Sequence, residues 1–538
     1  ATYCKMNDAQ RRLWITLSFA AMFVLGIPIW WKSTEIYRAE LPYSEIEQWN
    51  VLKPHESLFE VDIEVYLPSN WFKGSKTIQN EQNHLNQLLK NAYISSNHAS
   101  KIDFRSTMVS NDISTLPKEQ NCGTIQSWIE SKNVELTNGK YLFVGIDTFE
   151  NDPKFTVCPS RIVLMRMGNN PSDHESWLTT IAQLSARKII SSPVTEDKAR
   201  KKIQSNTAFR VTFSLLQDAT GWNNPLTSWD FPRYAESIIK GFMEEIKYTA
   251  DIHVDSQIKH FVKLLRSPKK SENNNEHLYD ENDIPHILAH PNEWNSDFVA
   301  TEQPSLHFIV YVPPRIYSPL YLTNSEGEHH SAYIIPQTGG VFIYNREGKG
   351  DETSLTADNM HNIIEIFIAQ LRESFGLEPL GDITYIDEKS IEILPSPTGI
   401  AEWERDQLVR ERTYENLYLA VTDLHSLSEL VQKLTIMMIS DEIQQIVIDS
   451  LNAIKQASEA LKSREFDEAQ IQSRIAMSKA HKAFFDPDML SLLYFPDEHK
   501  FAIYTPLFLP ISIPMVLKLI SEIKNAKARK AKAKNINK

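Results

Sequence analysis

The chain has 538 residues, 42% of them hydrophobic and 23% charged, with a formal net charge of −13. A length of this order exceeds one ordinary hydrophobic core, so two or three subdomains are expected. The acidic balance repels phosphate backbones and argues against a nucleic-acid partner.

The first element is an apolar run, "LWITLSFAAMFVLGIPIWW", from Leu13 to Trp31, preceded by Arg11 and Arg12. A bilayer core demands about twenty helical residues of this kind. A cleavable signal peptide has a shorter apolar stretch ending in small residues. This run ends in Trp30 and Trp31, which suit a membrane–water interface, so the reading is an uncleaved anchor over 13–31 with 1–12 outside it.

Next comes a sheet-and-helix lobe over about 51–192. It opens on "FEVDIEVYL", where Val61, Ile63 and Val65 alternate with Glu60, Asp62 and Glu64, the period of a half-buried strand with a solvated acidic face. Helical spacing near Ile78–Ile94, short strands at "YLFVGID" and "RIVLMRM", and a helix from about His174 to Ile190 follow. A charged linker containing Pro193 spans 193–207. The second lobe, 208–400, repeats the style with strands "AFRVTFSLLQ", "DIHVDSQI", "SLHFIVYVP" and "GGVFIYN" and helices near Tyr234–Tyr248 and Met360–Phe375. No residue-level repeat relates the two lobes. Strands alternating with helices define an α/β (α+β) class of sheets covered by helices.

From 401 to 485 proline and glycine vanish, and apolar residues fall at helical spacing. Leu417, Leu424, Leu427, Leu430 and Leu434 stripe one helix; Asp441 with Gln444 reads as a capping box opening a second, whose buried face is Ile443, Val447, Leu451 and Ile454. A third runs from about Asp467 to Phe484. The expectation is an antiparallel helical bundle.

A second apolar run, 501–520, leads into a basic tail, 521–538, with Lys524, Lys527, Arg529, Lys530, Lys532 and Lys534. The cations flanking the first run are nearly balanced, whereas these are not, so the positive-inside bias places the C-terminus in the cytosol. Two spans return the N-terminus there, and 32–500 then lies across the membrane. The tail reads as a stop-transfer flank, in preference to a segment that binds anionic lipid headgroups. Within the run, Pro506, Pro510 and Pro514 each remove a donor and free the carbonyls of Ala502, Pro506 and Pro510. Hydrocarbon offers no replacement donor, so neighbouring helices, water or a local hydroxyl such as Ser512 must supply one. The expectation is a span built to pack within a multi-helix complex.

Chemistry is sparse. G-x-S-x-G, H-E-x-x-H, C-x-x-C, P-loop and G-x-G-x-x-G patterns are all absent from the sequence. Cys122 and Cys158 are the pair on the far side of the membrane from Cys4; they are either bridged or two buried free thiols, and the residues leave both open. His286 and His290 are the metal candidates, four apart near Glu276, His277, Asp280 and Asp283. Pro285 and Pro291 bracket too short a helix for them, so a loop-and-turn reading is preferred. No catalytic or cofactor-binding residue is assigned. Asn170-Pro171-Ser172 is disqualified as a glycan acceptor by its proline.

Several stretches nevertheless resemble one family. "VLGIPIWWKSTEIYRAELPYSEI", "VTFSLL", "VDSQI", "YSPLYL", "GGVFIYN", "IFIAQLRESFGL", "YENL" and "FFDPDMLSLLYFPDEHKFAIYTPLFLPISIPMVL" are similar to the PIG-S family of GPI transamidase components, over about Leu25–Leu519. The resemblance implies a non-catalytic subunit of the endoplasmic-reticulum membrane complex that cleaves C-terminal signals and transfers the protein to a glycosylphosphatidylinositol anchor. The implied partners are a caspase-like catalytic subunit, three other membrane subunits and the membrane lipid, with no cofactor. Rival readings are a two-span lumenal receptor or tether, and a metallohydrolase using His286 and His290.

Overall fold

The computed structural model describes residues 8–34, 38–52, 59–68, 78–94, 102–111, 117, 121–147, 154–167, 174–190, 202–203, 208–264, 266–271, 276–280, 304–324, 327–348, 350–379, 384–386, 389–434, 437–487 and 497–536. The architecture mixes α-helices with three β-sheets of seven, five and four strands. Two compact units emerge, one of residues 51–420 and 452–478, the other of 1–50, 421–451 and 479–538.

In the larger unit, strand β1 (Phe59–Pro68) runs parallel to β2 (Ile102–Asn111) and β3 (Lys140–Asp147), and β3 runs parallel to β5 (Ile162–Met167). A hairpin lays β4 (Lys154–Val157) antiparallel beside β5. Helices α3 (Ile78–Ile94), α4 (Cys122–Ser131) and α5 (His174–Leu184) connect and cover these strands. Val61, Ile63 and Val65 are wholly buried, as their alternation predicts. The acidic face of β1 is not left to solvent: Arg464 donates to Glu60 (2.8 Å) and Asp62, and Lys140 meets Glu64 at 2.8 Å.

The second sheet is built the same way. Strand β6 (Ala208–Gln217) lies between β7 (Asp251–His260) and β10 (Ser305–Val312), β10 is parallel to β14 (Gly339–Ile343), and β13 (Ala332–Ile335) forms the antiparallel hairpin with β14. Between β6 and β7 run α6 (Phe231–Tyr234), a π turn (Ala235–Ile239) and α7 (Lys240–Ile246); after β14 comes α8 (Ala357–Phe375). Counting the four parallel strands of each sheet in chain order, both read 2-1-3-4, the doubly wound arrangement. Each also carries an antiparallel strand outside its fourth. The two lobes thus repeat one topology that their residues conceal, because packing tolerates any apolar residue of suitable volume at a core position.

Seven of β6's ten residues in succession (Val211–Gln217) are buried, which a central parallel strand covered on both faces requires. Phe213 anchors that core, its ring centroid 4.9, 5.5 and 5.1 Å from those of Phe231, Phe308 and Phe367. A third sheet joins β8 (Lys269–Lys270), β9 (His277–Asp280), β11 (Leu320–Thr323) and β12 (His329–His330).

Residues 384–393 depart from the sequence reading, which grouped them with the second lobe. Strand β15 (Thr384–Ile386) pairs with β16 (Lys389–Ile393), and β16 pairs parallel with β4 of the first sheet. Long-range pairing satisfies the free backbone groups of β4, and composition carries no trace of it.

Helix α9 (Glu402–Lys433) opens in this unit, which also holds parts of α10 (Asp441–Lys462) and α11 (Phe466–Phe484). Phe466 packs into the first lobe's core against Phe59, ring centroids 6.0 Å apart.

The smaller unit contains α1 (Asp8–Thr34), α2 (Tyr43–Leu52) and α12 (Asp497–Ile536). Ile443, Val447 and Leu451 are buried as their spacing predicts. The cap of α10 is Ser440, not Asp441: its hydroxyl accepts from the Ile443 N–H at 3.2 Å, while Gln444 donates instead to the Glu40 carbonyl at 2.6 Å. Trp30 of α1 stands edge-on to Tyr504 and Phe508 of α12, at 5.4 and 5.6 Å. Among the described residues one helix is long and apolar enough to cross a membrane, Ala502–Asn525 within α12; the apolar stretch of α1, Leu17–Trp30, is shorter. Helix α12 continues through Pro506, Pro510 and Pro514 and through the basic tail to Ile536.

Candidate functional site

In doubly wound sheets, ligands sit beyond the carboxyl ends of the strands where the order reverses. In the second lobe that point lies between β6 and β10. The protein's own groups close it. The Asp218 carboxylate accepts from the Thr220 N–H at 3.1 Å and the Thr220 hydroxyl at 2.5 Å. Arg315 N–H reaches the Thr220 carbonyl at 3.0 Å, and the Trp222 indole donates to Pro313 at 2.9 Å. Arg346 lies over the Trp222 ring at 5.1 Å and donates to the carbonyls of Asn224 (2.8 Å) and Glu352 (2.6 Å). At Gly221, a Cβ would stand 3.1 Å from that of Arg315, so the two loops are already in contact. The corresponding point of the first lobe, between β1 and β3, is flanked by 69–77 and 148–153, outside the described residues.

The other concentration of buried polar chemistry is at the start of α9. Residues two apart on a helix point about 200° apart, whereas those four apart share a face. Glu402 and Asp406 accordingly meet Arg161 of the first lobe, whose Nε and Nη2 donate to Asp406 at 2.6 and 2.8 Å and whose Nη1 donates to Glu402 at 3.1 Å. Glu404, between them, meets Arg372 of the second lobe at 2.6 and 2.9 Å. Tyr141 donates to Asp406 at 3.2 Å and accepts from Arg410 at 2.8 Å.

Burial opposes the charge of Arg161, but the hydrogen bond and charge of Asp406 outweigh it and hold its pKa above the ordinary value. Burial pushes the Tyr141 hydroxyl up, so it stays protonated. The arrangement clamps α9 to both lobes. Sequence reasoning misses it; the one available signal is acids at three alternate positions, Glu402, Glu404 and Asp406, opening a helix.

The residues singled out from sequence are dispersed. Cys122, the first residue of α4, and Cys158, which follows β4, form a disulfide with Cα atoms 5.8 Å apart, so neither sulfur serves as a thiolate. Cys158 is fully buried beside Ile125, Leu142 and Leu164. His286 and His290 lie outside the described residues, and among the described residues no three His, Cys, Asp or Glu groups are placed to hold a metal ion. The three prolines lie along α12, where the Ser512 hydroxyl reaches the Leu509 carbonyl at 3.4 Å, not one of the carbonyls the prolines free. An apolar groove of about 580 Å³ runs between α1 and α12, lined by Phe19, Met22, Trp30, Phe508 and Met515 among others.

These features define a class: a chain with two doubly wound α/β lobes locked onto one long helix, and with a helix fit to cross a membrane. The family model for phosphatidylinositol-glycan biosynthesis class S protein (PIG-S) matches residues 17–529, and the chain belongs to that family. It is similar to the human "GPI-anchor transamidase component PIGS", 28% identical with 97% of this chain and 96% of the relative covered. The fission-yeast "GPI transamidase component PIG-S homolog" is 24% identical over 97% and 86%. The Saccharomyces cerevisiae "GPI transamidase component GPI17" is 22% identical over 98% and 95%.

Proposed function

We propose that this chain is a non-catalytic structural subunit of a GPI transamidase in the endoplasmic-reticulum membrane. The observation that carries this reading is the family match over 17–529, end to end with relatives named as transamidase components from human to yeasts. In this reading 13–31 and 501–520 are two spans, both termini are cytosolic, and 32–500 is the lumenal part, with the helices of 401–485 forming a bundle. Its partners are the caspase-like catalytic subunit and the other membrane subunits, which supply donors to the carbonyls freed by Pro506, Pro510 and Pro514. The closed β6–β10 crevice and the disulfide between Cys122 and Cys158 support a structural role over a catalytic one.

Complementation tests the reading. Expressed in cells lacking their own component, the chain should restore surface display of a GPI-anchored reporter and co-purify with the remaining subunits. A well-expressed chain that restores no display and recovers no subunit would overturn it.

A further inference from the structure

The acidic chain carries a basic, apolar-tipped patch on the second lobe. Between Asp255 and Glu272 the sequence has no acid and five cations, Lys259, Lys263, Arg266, Lys269 and Lys270. The fold gathers that stretch at the carboxyl edge of β7, beside the loop after β10. Tyr317 donates to the Ser267 hydroxyl at 3.4 Å, tying the two loops together.

At the tip stands Phe261, 74% exposed, with φ of +61°. A bulky residue rarely adopts that left-handed conformation, and here no burial of its ring compensates. The turn is fixed by its neighbours. Val262 N–H reaches the Gln217 carbonyl at 3.0 Å, Gln217 accepts from Leu226 N–H at 2.9 Å, and its amide meets His260 Nδ1 at 2.8 Å. Ile316, 64% exposed, stands next to Tyr317 on the loop so tied, and Lys263, Lys269, Lys270 and Arg315 are exposed on the same two segments.

We infer that this patch is a docking surface for an acidic face of a companion lumenal subunit, with Phe261 and Ile316 filling an apolar pocket on it. Aromatic anchors ringed by charge are the make-up of an interface hot spot, and the cations match an acidic partner. Two protruding apolar side chains call for a pocketed protein surface more than for a headgroup layer. The partner's membership of the transamidase rests on the reading above.

The test uses the full chain, purified in mild detergent from cells lacking their own component, with the recovered transamidase subunits quantified per chain. Phe261→Gly removes the anchor and places glycine where φ is positive, so the melting temperature should hold or rise. Subunit affinity should nonetheless fall on the order of tenfold, the scale of a hot-spot truncation. Lys263→Glu with Lys269→Glu should weaken recovery comparably at unchanged melting temperature. Full recovery with both variants would overturn the surface, and so would a lower melting temperature for Phe261→Gly, which would make Phe261 a packing residue. Variants that keep every subunit but lose binding to phosphatidylinositol vesicles would replace the protein partner with lipid. A wild-type chain that retrieves no transamidase subunit would instead overturn the complex assignment, and this partner with it.

Discussion

At the scale of single residues, the decisive groups are buried charges. Arg372 and Glu404 are 2% and 4% exposed and bonded at 2.6 Å. Removing one member of such a pair strands the other in a low-dielectric site, at about 3–5 kcal/mol. Arg372→Ala should therefore lower the urea midpoint of the large unit sharply, whereas Arg372→Met with Glu404→Leu should recover most of the loss. A single variant as stable as wild type would show that the pair adds nothing. His307 belongs to the same scale. It is buried on β10 beside the Ser305 hydroxyl at 3.0 Å, and burial pushes its pKa down. The folded state thus takes up a proton less readily than the unfolded chain. The stabilisation from neutral His307 is complete above the ordinary value near pH ~6.5 and is lost as pH falls below it. Urea midpoints at pH 7 and pH 5 should differ more for wild type than for His307→Leu.

Elements depend on constraints that link distant parts of the chain. The disulfide closes a loop of 36 residues between α4 and the end of β4, so replacing both cysteines with serine should cost about 2–4 kcal/mol of stability in the first lobe. Turnover per assembled complex should remain unchanged, and an assembled complex that loses turnover would point to a role in the reaction. In α12, replacing Pro506, Pro510 and Pro514 by leucine restores three backbone donors. An isolated interior proline costs about 3 kcal/mol in an ordinary helix, so the variant should insert at least as well as wild type. Recovery of partner subunits should nevertheless fall, because neighbouring donors lose the carbonyls they serve. An unchanged subunit ratio would assign the prolines to the span alone.

For the whole molecule, the proposed topology places everything between the two apolar runs on one side of the membrane. Protease added to sealed microsomes should remove only the tails. Cleavage near Asp351, which lies beyond β14 in the second lobe, would reverse that orientation.

What the residues alone determined are the properties set by local spacing. Alternation marked β1, and β6 and β10 were read as strands, because side-chain direction follows the two-residue period of a strand. Helices α8, α10 and α11 were legible from helical spacing, and the apolar run before the lysine-rich tail declared a helix long and apolar enough to cross a membrane. The family was legible in extended stretches of sequence and was found across 17–529. Tertiary structure decided whatever joins residues far apart. Cys122 and Cys158 could be paired or free until the fold brought their Cα atoms to 5.8 Å. β16 could not be placed beside β4, nor Arg161 and Arg372 beside successive carboxylates of α9, from any local pattern. The shared 2-1-3-4 strand order stayed hidden for the same reason. Strand order is settled by backbone pairing and by where apolar faces are covered, and both are long-range and largely indifferent to which apolar residue stands at each position.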